Sequence, residues 1–320
     1  MRLLLLLLVG PLVLAPIARG QSSGATAFSL ATMDPTPRGA GLAGSVSASA
    51  FTDAGAWLYN PALLSGDLAN RLSFSLTNHL SSLRTGSVGY TRTVPGLGNA
   101  AVGLRFLGWG ELERTDADGA SIGTFSASEF VATIAASHEF SPHLRAGLAL
   151  NALRSAIDSR SAGAISFDAG LVFHRPETGF AVSASLHQAG LVFSSLGSTD
   201  DALPVDVRVG ISKKLRHMPL LLAATGYGFI SPDEAVGDGA VSRALGHLLL
   251  GAEFQFSDSF QLRLGYDHRR HEALKIKSRL DFAGVSFGAG IRVKGLRLDY
   301  ARTSWSSIGA VHRFGFSTGL

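Results

Sequence analysis

Val285-Ser-Phe-Gly-Ala-Gly-Ile-Arg-Val293, then Lys294-Gly295, then Leu296-Arg-Leu-Asp-Tyr300 is the stretch on which the fold turns. Val285, Phe287, Ala289, Ile291 and Val293 take every second position, and after the Lys-Gly pair Leu296, Leu298 and Tyr300 resume the alternation. Strict alternation is the signal of a strand whose two faces meet different surroundings. The same period runs upstream through Phe260/Leu262/Leu264/Tyr266, Val205/Val207/Val209/Ile211, Phe180/Val182/Ala184/Leu186, Phe167/Ala169/Leu171/Phe173 and Leu144/Ala146/Leu148/Leu150. It begins with Leu72/Phe74/Leu76 and Ala100/Val102/Leu104/Phe106 and returns in Phe314/Phe316/Leu320. Segments of about ten residues suit a tilted transmembrane strand, although a soluble sandwich would share the period.

The connections separate the two. Short ones fall at 95–98, 141–142, 175–178, 217–219, 257–258 and 294–295, and longer polar ones between them at 110–124, 156–161, 190–203, 230–243, 270–281 and 305–310. A transmembrane barrel sorts its loops this way, with short turns at the periplasmic end and long loops outside. Lipid also offers no hydrogen-bond partner to an open sheet edge, so the sheet has to close. The reading is an all-β chain: an antiparallel transmembrane barrel of about fourteen strands over 71–320, both ends on the short-turn side. The last strand stops on an apolar residue, Leu320, as outer-membrane barrels usually do.

Composition agrees. Only 16% of the 320 residues are charged and 38 are Gly, against about a quarter charged and about 7% Gly in a soluble domain. The mean hydropathy of +0.24 excludes a disordered chain. The net charge of +4 is too small and scattered for nucleic acid. With no Cys, disulfides, thiolate metal sites and thiol nucleophiles are all excluded.

Residues 1–20 carry Arg2, an apolar run from Leu3 to Leu14, and small residues at Ala18 and Gly20, the pattern of a cleaved signal peptide. Residues 21–70 break the alternation: Ala and Gly dominate 38–56, and Trp57-Leu-Tyr59-Asn60-Pro61 follows. Pro61 restrains the backbone of Asn60 and starts a turn. The segment reads as a hatch or plug inside the lumen, with Trp57, Tyr59, Asn60 and Pro61 as its marked residues; a periplasmic linker is the plainer alternative.

Pro37-Arg-Gly-Ala-Gly-Leu-Ala-Gly44, Trp57-Leu-Tyr-Asn-Pro-Ala-Leu-Leu64, Arg114 to Glu129, Leu203 to Leu215, Leu262 to Arg270 and Ala283 to Arg292 together carry a resemblance. In order and spacing they resemble the PorV/PorQ branch of the fatty-acid-transporter-like outer-membrane β-barrels, over nearly the whole mature chain. The resemblance implies a fourteen-stranded barrel with an N-terminal hatch, in the outer membrane of a Gram-negative bacterium. It further implies a non-enzymatic part of the type IX secretion system. There the chain would hold a PorZ-like surface protein, and through it a PorU/PorV-like attachment complex that receives cargo bearing a C-terminal signal.

Catalytic, metal and cofactor residues are expected to be none. No Gly-x-Ser-x-Gly, Ser-x-x-Lys or His-Glu-x-x-His occurs. Asp116-Ala-Asp118-Gly119 opens like a calcium loop but lacks its glutamate, and a turn uses the same residues. Candidate partner residues lie on the expected outer loops, Asp116 and Asp118 on the first of them. Leu191 and Phe193, with Asp200 and Asp201, form a docking patch or fold inward. Arg269, Arg270, Lys275 and Lys277 form a basic cluster for lipopolysaccharide phosphates or an acidic partner, or a solvated loop tip. Trp109, Trp305, Tyr90, Tyr227, Tyr266 and Tyr300 read as an interfacial girdle. The rival function is a channel for small lipophilic molecules, against which the alternate positions, rich in Ser, Gly, Ala, Thr and Arg, speak.

Overall fold

Fourteen strands hydrogen-bond in sequence order, and the last pairs with the first, so the sheet has no free end strand. The computed structural model describes residues 26–48, 53–79, 82–197, 201–230, 239–276 and 281–320; the expected signal peptide, Asp200 and Lys277 lie outside them. The strands are β1 (Arg71–Asn78), β2 (Arg84–Val94), β3 (Gly98–Thr115), β4 (Ser121–Ser141), β5 (Leu144–Ile157), β6 (Arg160–Arg175) and β7 (Phe180–Ser194). They continue as β8 (Asp206–Lys214), β9 (Leu220–Gly226), β10 (Leu248–Ser257), β11 (Phe260–Asp267), β12 (Val285–Val293), β13 (Leu296–Ser304) and β14 (Ala310–Gly319). Every neighbouring pair is antiparallel, and the barrel closes through Arg71 opposite Gly319 and Phe74 opposite Phe316.

The alternation sorts the side chains by face. Phe74, Val102, Ile134, Leu148, Leu171 and Leu298 point outward and are exposed, whereas Ser75, Ser87, Thr133, Ser137 and Asn151 point inward and are buried. An apolar outside and a polar inside is the inverse of a soluble domain and the arrangement of a membrane barrel.

The sorting of connections holds with corrections. The expected loop 110–124 is strand for most of its length: β3 and β4 run on to a tight turn at 116–120. In that turn Asp116 Oδ1 accepts from the backbone N–H of Asp118 at 3.0 Å and of Ala120 at 2.8 Å, so this carboxylate closes its own loop. The expected loop 156–161 is a two-residue turn, with Asp158 at a positive φ of 56°. Leu191 and Phe193 belong to β7 and not to a loop. There they face outward at 79% and 69% exposure, while Val192 between them turns in against the Phe28 and Leu30 cluster.

The basic loop departs furthest from expectation. His268–Leu274 is a helix, with Asp267 at its N-cap accepting from Arg270 N–H. It is folded so that the Arg269 guanidinium lies 5.0 Å from the centre of the Tyr227 ring. Arg270 pairs with Asp267 at 3.4 Å, and Lys275 pairs with Glu272 on the same turn. Tyr227 leaves the expected girdle as well: its hydroxyl donates inward to Asp267 Oδ1. Buried polar groups seek partners, and at this rim the partners are inside.

Candidate functional site

Residues 26–48 and 53–68 pack against the inner face of the barrel as short helical turns joined by irregular chain, among them Pro37–Gly41, Ala56–Leu58 and Pro61–Leu63. Irregular chain carries unpaired carbonyls that need donors when buried. The inward hydroxyls of the wall supply them. Ser75 and Ser87 both donate to Pro35 O, at 2.8 and 3.0 Å; Ser137 donates to Leu64 O at 2.6 Å, and Ser212 to Ala48 O at 3.1 Å. Arg105 donates to the carbonyls of Leu30 and Met33. In return Glu129 accepts from Ser29 Oγ at 2.6 Å and from Leu30 N–H at 2.8 Å.

Glycine accounts for how close the segment comes. Gly147 stands opposite Gly170, Gly89 opposite Gly103, and Gly251 opposite Gly265, each a cross-strand pair. A Cβ at Gly170 would overlap Asn60 Oδ1, one at Gly147 the carbonyl of Pro61, and one at Gly265 the backbone of Ala43. At Gly103 it would come within 2.9 Å of the Trp57 ring. The wall has been stripped of side chains where the segment touches it, which explains much of the glycine excess. Of the four marked residues, Trp57, Tyr59 and Asn60 are buried, and Asn60 with Pro61 starts the Pro61–Leu63 turn. Asn60 Oδ1 accepts from Ala62 N–H at 2.9 Å while its Nδ2 donates to Ser47 O at 3.0 Å. Asn60→Ala loses both bonds and is expected to lower stability by about 1–2 kcal/mol, read from the temperature at which the folded band is lost in unboiled electrophoresis.

Charge fastens the other half. The Arg38 guanidinium pairs with Glu253 at 2.9 Å; Glu253 also pairs with Arg263 at 2.8 Å, Arg263 with Asp299 at 2.7 Å, and Asp299 with Arg297 at 2.7 Å. Arg38 and Glu253 are each 2% exposed. Burial weakens the Arg38 cation, yet the adjoining Glu253 carboxylate more than offsets this and raises its pKa above the ordinary value. Burial also pushes the Tyr59 phenol well above its usual range, so it stays a donor, 3.3 Å from Asp34 Oδ1. Among these charged groups the sequence reading singled out none. Their signal was a charge on the inward phase of a strand, as in Ala252-Glu-Phe254 and Leu262-Arg-Leu264.

Between this segment and the wall a cavity of about 330 Å³ remains, towards the long-loop end, floored by Met33, Trp57 and Tyr59 and walled by Arg105, Asp168, His187, Gln188 and Arg208. Asp168 accepts from Gln188 N–H at 2.7 Å and from Asn151 Nδ2 at 3.1 Å. The pairing of β6 with β7 slips here, so that His187 and Gln188 together face Asp168. Gln188 takes a positive φ of 55°, a bulge that turns two successive side chains inward. Among the described residues the β7–β8 ladder ends at His187 opposite Asp206, the first residue of β8. Arg269, from the expected surface cluster, is one of the cavity's lining residues. Asp201 spends its carboxylate on Leu196 N–H, at 2.8 Å, within its own loop.

Solved structures share this architecture. The Pseudomonas putida toluene transporter TodX matches with a TM-score of 0.55 and 12% identity, over 84% of this chain and 95% of its own. The CymD monoaromatic hydrocarbon channel matches with 0.56 and 12%, over 92% and 99%, and a Pseudomonas aeruginosa FadL homologue with 0.54 and 12%, over 90% and 99%. The chain has the FadL-like barrel fold. No protein-family model matches it, and no curated protein does. At these identities the likeness concerns the fold, that of Gram-negative outer-membrane proteins. Two of these three are described as a toluene transporter and a monoaromatic hydrocarbon channel.

Proposed function

We propose that this FadL-like barrel is an outer-membrane channel for small molecules, entered from the long-loop end through the cavity between hatch and wall. The observation that carries the reading is that cavity, set beside a bulge where the described β7–β8 ladder ends. Support comes also from the neighbours, two of which are described as hydrocarbon channels or transporters. The lining modifies the cargo. Arg105, Asp168, His187 and Arg208 favour a solute with an apolar body and a polar group over a bare hydrocarbon, because an apolar guest would strip the remaining hydration from these polar walls without replacing it. Proteoliposomes holding the full mature chain are expected to take up an aromatic alcohol faster than empty ones, and Asp168→Leu to slow that uptake about tenfold. Uptake equal to that of empty liposomes would reject the channel.

A second reading has its own support, the sequence resemblance to the PorV/PorQ branch. There the barrel, with its lumen filled, is a non-enzymatic anchor for a PorZ-like surface partner in the type IX attachment complex. Deleting the gene in its host then releases that partner into the medium and leaves cargo with its C-terminal signal uncleaved. Intact cargo processing in the deletion strain would discard the anchor.

A further inference from the structure

The lipid side of the wall carries a feature that neither reading uses. Across β13, β14, β1 and β2 the outward side chains lie in register rows. Leu298, Phe316, Phe74 and Val88 form one row; Tyr300, Phe314, Leu76 and Gly86 form the next, with the Phe106 ring over Gly86. One step nearer the long-loop end, about 7 Å along the strands, the row reads Arg302, His312, Asn78, Arg84. It crosses three strand spacings, about 14 Å.

Arg302 and Arg84 are exposed, and among the described residues neither makes an ion pair or a hydrogen bond. Arg302 also borders an outward groove of about 470 Å³ lined by Phe282, Phe287, Ser304, Ser306 and Ser307. Asp281 at its edge is engaged, accepting from Ser306 Oγ and from the N–H groups of Ile276 and Ala283. His312 is held to the Tyr300 hydroxyl at 2.8 Å.

A cation facing hydrocarbon is disfavoured, and the cost fades only where headgroups begin. The row therefore marks the outer edge of the hydrocarbon layer. Two guanidiniums that make no ion pair among the described residues, the Asp281 carboxylate nearby being engaged by Ser306 and backbone N–H groups, present planar donors matched to phosphate, directly above apolar rows fit for acyl chains. We propose that Arg302, His312, Asn78 and Arg84, with the serine groove beside them, bind the phosphorylated headgroup of an outer-leaflet glycolipid.

The test uses the folded full mature chain in neutral detergent, with lipid A as probe and native mass spectrometry as readout. Arg84→Gln and Arg302→Gln are each expected to weaken binding about tenfold, and the double variant about a hundredfold. Arg216→Gln, at the short-turn end, leaves it unchanged. Both arginines are exposed, so the variants keep the heat-modifiable migration of a folded barrel. Lipid A stripped of its phosphates binding as well as the intact lipid would overturn the proposal, as would a double variant with wild-type affinity. Displacement by inorganic phosphate at concentrations matching the lipid would assign the site to free phosphate and overturn the lipid reading.

Discussion

Replacing Glu253 by Ala is expected to cost about 3–5 kcal/mol of stability, because it leaves buried cations without their counter-charge. Arg38 would lose its nearest anion, and Arg263 would keep only Asp299. Since Arg38 belongs to the hatch and Glu253 to β10, the loss falls on the contact between them. The hatch should loosen before the barrel opens. Two readings check this: a lower temperature for loss of the folded band, and faster tryptic cleavage after Arg38, which is buried in the intact protein. A double variant, Arg38→Met with Glu253→Met, removes both charges and leaves Arg263 paired to Asp299. It should recover more than half of the loss. If the double variant is as unstable as Glu253→Ala, shape and not charge holds the hatch at this wall.

Gly170→Val should expel the Asn60-Pro61 turn while leaving the barrel closed. Any Cβ at this position overlaps Asn60 Oδ1, and the opposing Gly147 shows that the wall has no slack there. Valine itself suits a strand, so the wall strand accepts what the hatch cannot. The expected result is a folded, heat-modifiable barrel in which the hatch is open to protease and bilayer conductance rises well above wild type. Asn60→Ala combined with Gly170→Val adds little to the single change, since the turn is already displaced. Wild-type conductance and protection in Gly170→Val would mean that the turn can shift sideways, and would remove the glycine pairs from the account of the seal.

The legibility of the sequence follows from what each feature depends on. The alternation of Val285 to Val293 and its partners along the chain is a property of consecutive residues, because a strand's faces repeat every second position. Lys294-Gly295 marks a turn locally in the same way, with φ positive at both residues. Asn60-Pro61 announced a turn by its own stereochemistry. The expected loop at 110–124 failed for a related reason: Gly110 and Gly123 punctuate the sequence like a loop, but both sit in strands at positive φ, at irregularities of the β3–β4 pairing.

Polarity alone misplaced Arg269 and Tyr227. Both look like surface residues in sequence, and they turn inward because their partners, including Asp267, come from elements far apart in the chain. Glu253 with Arg38, and Asp168 with Asn151 and Gln188, show the same limit. An inward charge in a strand is visible, but its counterpart on the hatch or on a neighbouring strand is not.

By itself, then, the sequence determined a closed antiparallel barrel, apolar outside and polar within, with a differently built segment ahead of it, because periodicity and turn chemistry act between near neighbours. Only the tertiary structure decided that this segment is seated on paired glycines and fastened by Arg38 to Glu253. It also decided that a polar cavity remains above the hatch and that Arg302 and Arg84 share a level on the lipid face. Those relations depend on strand register around the closed wall, which brings together residues as far apart as Asn78 and His312.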